Sequence, residues 1–147
     1  MEYQTDRDAT SWSLIFASWL VATIATVGSL FFSEVMDLVP CLLCWYQRIF
    51  MFPLAVILLI GLHPLDLRVA RYALPLAFIG LLFTLYHCFL FYGFIPENLR
   101  PCSQGVPCSD ASMVLFGILP IPVLSLASFL TIILLLLKVR SRIKLAR

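Results

Sequence analysis

The chain has 147 residues, of which 62% are hydrophobic and only 12% charged, with a net charge of +2 and a mean hydropathy of +1.01. A soluble domain carries roughly a quarter of its residues as charges, and one of this size still leaves about 30% of its unfolded-chain surface exposed. The apolar excess must therefore face something other than water, which disfavours a soluble enzyme, a disordered chain and a nucleic-acid-binding domain.

The leading segment, Met1 to Ser11, holds Arg7 against Glu2, Asp6 and Asp8. The uncharged run from Ser13 to Phe32 follows, and it predicts a membrane-spanning helix over about 13–32, because a crossing needs ~20 apolar residues. The run is too long for a signal-peptide core, and no small-x-small cleavage site follows Phe32, so a retained helix is expected. A second helix is predicted over about 42–62, in a stretch whose single charge is Arg48. The third, over about 72–94, contains no Asp, Glu, Lys or Arg. The fourth covers about 119–137, with Pro120 and Pro122 in its first turn, where a missing N–H costs no hydrogen bond. Residues 109–118 are apolar but precede those prolines, and read as a short interfacial segment. No internal repeat or low-complexity linker appears. Residues 1–147 thus form a single all-α, polytopic membrane domain, a four-transmembrane-helix bundle.

With four spans, the N-terminus, the 63–71 loop and the C-terminus share one side. That side carries Arg7, Arg68, Arg71, Lys138, Arg140, Arg142, Lys144 and Arg147, eight of the ten basic residues. Basic residues are retained on the cytoplasmic side, so both termini are expected there. The tail cluster is also open to reading as a nucleic-acid or lipid patch, but a stop-transfer anchor accounts for it. The same topology puts Cys41, Cys44, Cys102 and Cys108 on the extracytoplasmic side, where disulfides persist.

Three readings of those thiols are open: structural staples, a metal site, or redox chemistry. In Pro40-Cys41-Leu42-Leu43-Cys44-Trp45-Tyr46-Gln47-Arg48 the proline suits a first helical position, and the two cysteines then share one face of the first turn. A helix N-terminus favours a thiolate, and Arg48, four residues beyond Cys44, adds a full charge. Both effects predict a lowered pKa at Cys44. Arg48 is costly in a bilayer and lies ~10 Å below Cys41 at ~1.5 Å per residue; snorkelling to the headgroups is the bland account. His87 lies at a similar depth, ~10 Å from the outer end of the third helix. Alone it reads as a packing histidine. Together the two outline a polar pocket suited to the carbonyls of a membrane quinone.

The second pair, in Pro101-Cys102-Ser103-Gln104-Gly105-Val106-Pro107-Cys108, closes a polar loop of seven residues. A staple there restricts little chain entropy, and a small exposed disulfide tends to be labile. A docking point for a soluble thiol protein fits better. A four-cysteine zinc site is the main rival, but the x5 spacing, the oxidising side and the membrane position of the first pair weigh against it, and no metal is assigned. Haem attachment fails because Trp45 stands where Cys-x-x-Cys-His needs histidine. Cys88 has no partner in its own span and reads as an apolar filler.

The run Phe32-Ser33-Glu34-Val35, then Pro40 to Arg48, then Met51-Phe52-Pro53-Leu54 resembles the disulfide bond formation protein B family, particularly its short Bacillus-type (BdbC-like) members. Arg100-Pro101-Cys102 and Gly105-Val106-Pro107-Cys108-Ser109 resemble the same subgroup, and the likeness covers roughly residues 12–137. The resemblance implies a membrane oxidoreductase of the bacterial cytoplasmic membrane. It would reoxidise a soluble extracytoplasmic thioredoxin-like thiol oxidase and pass the electrons to quinone, menaquinone or ubiquinone. By matched position Cys44 would be the quinone-facing thiolate and Cys41 its partner. Cys102 would form the mixed disulfide and Cys108 complete the loop disulfide. Arg48, and more loosely His87, would bind the quinone. The short second loop departs from the longer members, which separate that pair widely. The vitamin K epoxide reductase family is disfavoured because its loop pair precedes its Cys-x-x-Cys. The alternative from another class is a non-catalytic four-helix membrane protein whose outer-loop cysteines are structural disulfides.

Overall fold

The computed structural model describes residues 2–95, 114–115 and 119–145. It contains α1 (Glu2–Glu34), α2 (Leu42–Leu62), α3 (Val69–Phe91), β1 (Val114–Leu115), β2 (Leu119–Pro120) and α4 (Ile121–Leu145). All four helices are long and apolar enough to cross a membrane, over Ala9–Glu34, Leu42–Leu62, Val69–Phe91 and Ile121–Ile143. The protein is an all-α membrane bundle. The two short strands pair antiparallel, Val114 opposite Pro120 and Leu115 opposite Leu119, just ahead of α4. The described part of the expected 109–118 interfacial segment, Val114–Leu115, is therefore extended; the rest lies outside the described residues.

Helix ends differ from the uncharged runs for identifiable reasons. α1 has 33 residues, ~50 Å at ~1.5 Å each, against a hydrocarbon core of ~30 Å. Charge stops a chain from entering lipid but not from being helical, since Glu, Lys and Arg are good helix formers. The same holds for α4, which runs through the basic residues to Leu145 rather than ending near 137. α3 is displaced about one turn towards its N-terminus relative to 72–94. Asp66 folds the turn ahead of it, its carboxylate accepting from the Arg68 N–H (2.9 Å) and its carbonyl from the Val69 N–H (3.1 Å). Gly93 ends it in the left-handed region (φ +75°), where a side chain would be strained. The Gly93 N–H then reaches the Leu90 carbonyl and the Phe94 N–H the Phe89 carbonyl, with the rings of Phe89 and Phe94 in edge contact. That is the αL helix stop with its hydrophobic clasp.

α1 packs on α2 and α4, and α3 packs on α2 and α4, giving a four-cornered bundle. Ile15, Leu54, Leu58, Phe129, Ile132 and Leu136 fill its centre. Large apolar side chains point outward from every helix, among them Ile24, Ile60, Leu82 and Leu134. Water would oppose such a surface; lipid does not, so the outward faces need no polar cover. Close approach is then set by small residues. A Cβ at Gly80 of α3 would overlap the Phe129 ring of α4. Ser18, Thr84 and Ser128 satisfy their hydroxyls on the carbonyl one turn back, at 2.8–2.9 Å, as an apolar surrounding demands.

Candidate functional site: a cysteine pair between a histidine and an arginine-lined cavity

The N-terminus of α2 meets the last turns of α3. Cys41 stands one residue outside α2 as its N-cap (φ −70°, ψ 169°), and its Sγ accepts from the Cys44 backbone N–H at 3.4 Å. Capping uses one of the N–H groups that a helix start leaves without a partner. The two sulfurs are 2.9 Å apart as free thiols, so small side-chain rotations bring them to the ~2.05 Å of a disulfide. The Nε2 of His87 lies 3.8 Å from the Cys41 Sγ. His87 is fully buried, and its Nδ1 is 2.9 Å from the side-chain amide nitrogen of Gln47, itself buried. That contact makes Nδ1 the acceptor and leaves the ring proton on Nε2, pointing at sulfur.

Donors thus converge on Cys41, whose thiol is held far below the ordinary range, at about 5. The Cys44 side-chain hydrogen bond contributes most; His87 adds a hydrogen bond and an electrostatic pull, and the Cys44 backbone N–H a smaller share, all against the upward pull of burial. The sequence places the activated thiolate at Cys44, by helix dipole and Arg48. The dithiol geometry gathers the donors one residue outside the helix instead, because Cys41 at the N-cap faces the Cys44 thiol and backbone N–H and, across the helix interface, His87.

Arg48 reaches across to α1. Its Nε donates to the Ser29 Oγ and a terminal nitrogen to the Ser29 carbonyl on α1, both at 2.7 Å, and its guanidinium stands 5.3 Å from the Trp45 ring centre. Two of its five N–H donors are thereby used. Arg48 also lies in the wall of a cavity of about 380 Å³ between α1, α2 and α4, together with Gly28, Ser29, Cys44, Gln47 and Phe129. Cys41 and His87 are not among its lining residues. The expected pairing of Arg48 and His87 around one pocket is therefore divided: Arg48 is in the cavity wall, and His87 is beside the cysteines but outside the lining. Gln47 touches both sides, lining the cavity and holding His87.

Sequence reasoning missed Gln47 and Ser29. The available signals were a glutamine within the quoted cysteine motif and a serine in an otherwise apolar helix, next to Gly28. Cys102 and Cys108 lie outside the described residues. Cys88 is a buried free thiol on α3.

A multi-pass helical membrane protein with a dithiol poised for disulfide closure is the class that this fold and site define. The family model for disulfide bond formation protein DsbB matches residues 10–139. A probable disulfide formation protein of Metapseudomonas resinovorans is 48% identical over 133 residues, covering 90% of this chain and 92% of the relative. Disulfide bond formation protein C of Bacillus subtilis (strain 168) is 46% identical over 121 residues, covering 81% and 86%. Probable disulfide formation protein C 2 of Bacillus cereus (strain ATCC 10987 / NRS 248) is 46% identical over 122 residues, covering 83% and 87%. No solved structure matches the chain. The chain belongs to the disulfide bond formation protein DsbB family, and with it to the membrane proteins of disulfide formation.

Proposed function

We propose that this protein is a thiol–disulfide oxidoreductase of the bacterial cytoplasmic membrane that reoxidises a soluble, extracytoplasmic thioredoxin-like thiol oxidase and hands the electrons to a membrane quinone. The observation that carries the reading is the junction of the cysteine pair with the cavity: Cys44 and Arg48 both line it. A volume of about 380 Å³ falls within the ~300–1,000 Å³ of small-ligand sites, which combine apolar walls with a few placed polar groups. The residues present thus suit a quinone ring, whose carbonyls accept hydrogen bonds. When bound, the quinone supplies a two-electron, two-proton acceptor.

The chain's own groups divide the work. A thiolate of the reduced oxidase attacks the Cys102–Cys108 disulfide at Cys102, and Cys108 leaves as a thiolate. The oxidase's second thiol resolves the mixed disulfide, leaving the loop pair reduced and the oxidase oxidised. The loop dithiol then exchanges with the Cys41–Cys44 disulfide, so that two electrons move inward. Closing that disulfide again releases two electrons and two protons from Cys41 and Cys44. His87 steadies the Cys41 sulfur while it carries charge, and Arg48, braced on Ser29, orients an acceptor beside Cys44. The distribution of basic residues supports cytoplasmic termini and outward-facing cysteines.

The test is reoxidation of a reduced thioredoxin-like oxidase by the purified chain with ubiquinone-1 or a short menaquinone. Turnover lost in Cys44→Ser and in Cys102→Ser is the expected result. Full turnover in Cys44→Ser would sink the scheme, as would cysteines that stay fully oxidised in quinone-depleted cells, the behaviour of mere staples.

A further inference from the structure

We propose that the reduced Cys41–Cys44 pair and His87 form a soft-metal site that takes one Zn²⁺ or Cd²⁺, so that the dithiol state can be arrested by metal. This goes beyond the quinone reading and does not rest on it. The two Sγ atoms and a ring nitrogen of His87 lie within 4.8 Å of one another, contributed by the start of α2 and the end of α3. Tetrahedral zinc, with Zn–S ~2.3 Å and Zn–N ~2.0–2.1 Å, sets S···N at roughly 3.6 Å and S···S at roughly 3.8 Å. The Cys41–His87 separation of 3.8 Å is already near the first value, whereas the 2.9 Å between the sulfurs is about an ångström short of the second. Only Cys44 has to swing outward, and it is the half-buried member, with the cavity beside it.

Charge and hydrogen bonding support the same ligand set. A bare dication would be prohibitive where Cys41 and His87 are 2% and 0% exposed. Two thiolates and a neutral imidazole bring the complex to zero net charge, which removes most of that cost. A histidine binding metal through Nε2 carries its proton on Nδ1 and needs an acceptor there. Gln47 sits at that nitrogen, and a half-turn of its amide presents Oε1 in place of Nε2. Three protein ligands leave the fourth tetrahedral position open. Binding releases the two thiol protons and transfers no electrons, so the site exists only in the dithiol state and vanishes when the disulfide closes.

The experiment uses the full chain in detergent micelles, carrying Cys102→Ser and Cys108→Ser, reduced and then freed of reductant, with Zn²⁺ alone as the probe. Competition against a chromophoric chelator is expected to give one Zn²⁺ per reduced chain and none per oxidised chain. X-ray absorption of the loaded protein is expected to show two sulfurs and one imidazole. His87→Ala and Gln47→Ala are each expected to weaken binding about 10-fold or more, the lower end of what losing a supporting group costs. A shell without imidazole overturns the proposal even if His87→Ala fails to fold, as does binding that survives oxidation or disappears with the two loop substitutions. Neither quinone nor oxidase is present, so failure here leaves the relay untouched, and failure of the relay leaves the zinc result standing.

Discussion

Cys41 shows how much a single position at a helix start decides. Groups from two elements face its sulfur: the thiol and backbone N–H of Cys44 from α2, and His87 from α3. Its thiolate, favoured down to about 5, is the reactive species. Lowering the pH from 8 should therefore leave Cys41 alkylation in the reduced protein nearly constant until about pH 5, and slow it below. His87→Ala removes a hydrogen bond and an electrostatic pull on the sulfur, so its fall-off should begin at higher pH, and Gln47→Ala should move it the same way by less. Mass spectrometry of alkylated protein over a pH series reads both; coincident curves for the three proteins would discard His87 as an activator of Cys41. On the cavity side, Ser29→Ala takes away one of the two Ser29 acceptors of Arg48, a charge-assisted bond of about 1.5–3 kcal/mol. Quinone KM is expected to rise about 10-fold, with the rate of oxidase reoxidation at saturating quinone little changed. A fall in that rate without a change in KM would place Ser29 outside acceptor binding.

At the scale of elements, what positions the site is the contact of helix ends, and that contact depends on how closely the helices lie. Gly80 is where α3 and α4 meet, and a Cβ there overlaps Phe129; Gly28 of α1 has open space around it. Gly80→Ala should therefore cost about 1–3 kcal/mol through overpacking, whereas Gly28→Ala should be neutral or slightly stabilising, since alanine is the better helix former. Thermal unfolding in one detergent distinguishes the two, and equal effects would contradict the packing described. Gly28 also belongs to the cavity wall. Gly28→Leu is accordingly expected to preserve the fold while excluding quinone, visible as lost quinone reduction with intact exchange between the loop and Cys41–Cys44 pairs.

For the molecule as a whole, four spans put the two ends of the bundle on opposite sides of the membrane. Val39, ahead of α2, and Ser141, near the end of α4, are both exposed at opposite ends of the bundle in the four-span topology. Single cysteines introduced at each should react with an impermeant maleimide from opposite sides, Val39→Cys in intact cells and Ser141→Cys only after the membrane is opened. Labelling of both from outside would reverse the cytoplasmic assignment of the C-terminus. The four spans were legible in the sequence because partition between lipid and water is decided stretch by stretch along the chain, and the uncharged runs record it directly. The cysteine motif was legible for a similar reason: its chemistry lies within nine consecutive residues, Pro40 to Arg48. Helix ends were less so, since charges that bar entry to lipid do not end a helix, as α1 and α4 show. The division of Arg48 from His87, the cavity beside Cys44, and the parts played by Ser29 and Gln47 belong to the tertiary structure alone. Each depends on how one helix is rotated against another, and that rotation is set by packing across the bundle, at contacts such as Gly80 on Phe129, which no single stretch of sequence contains.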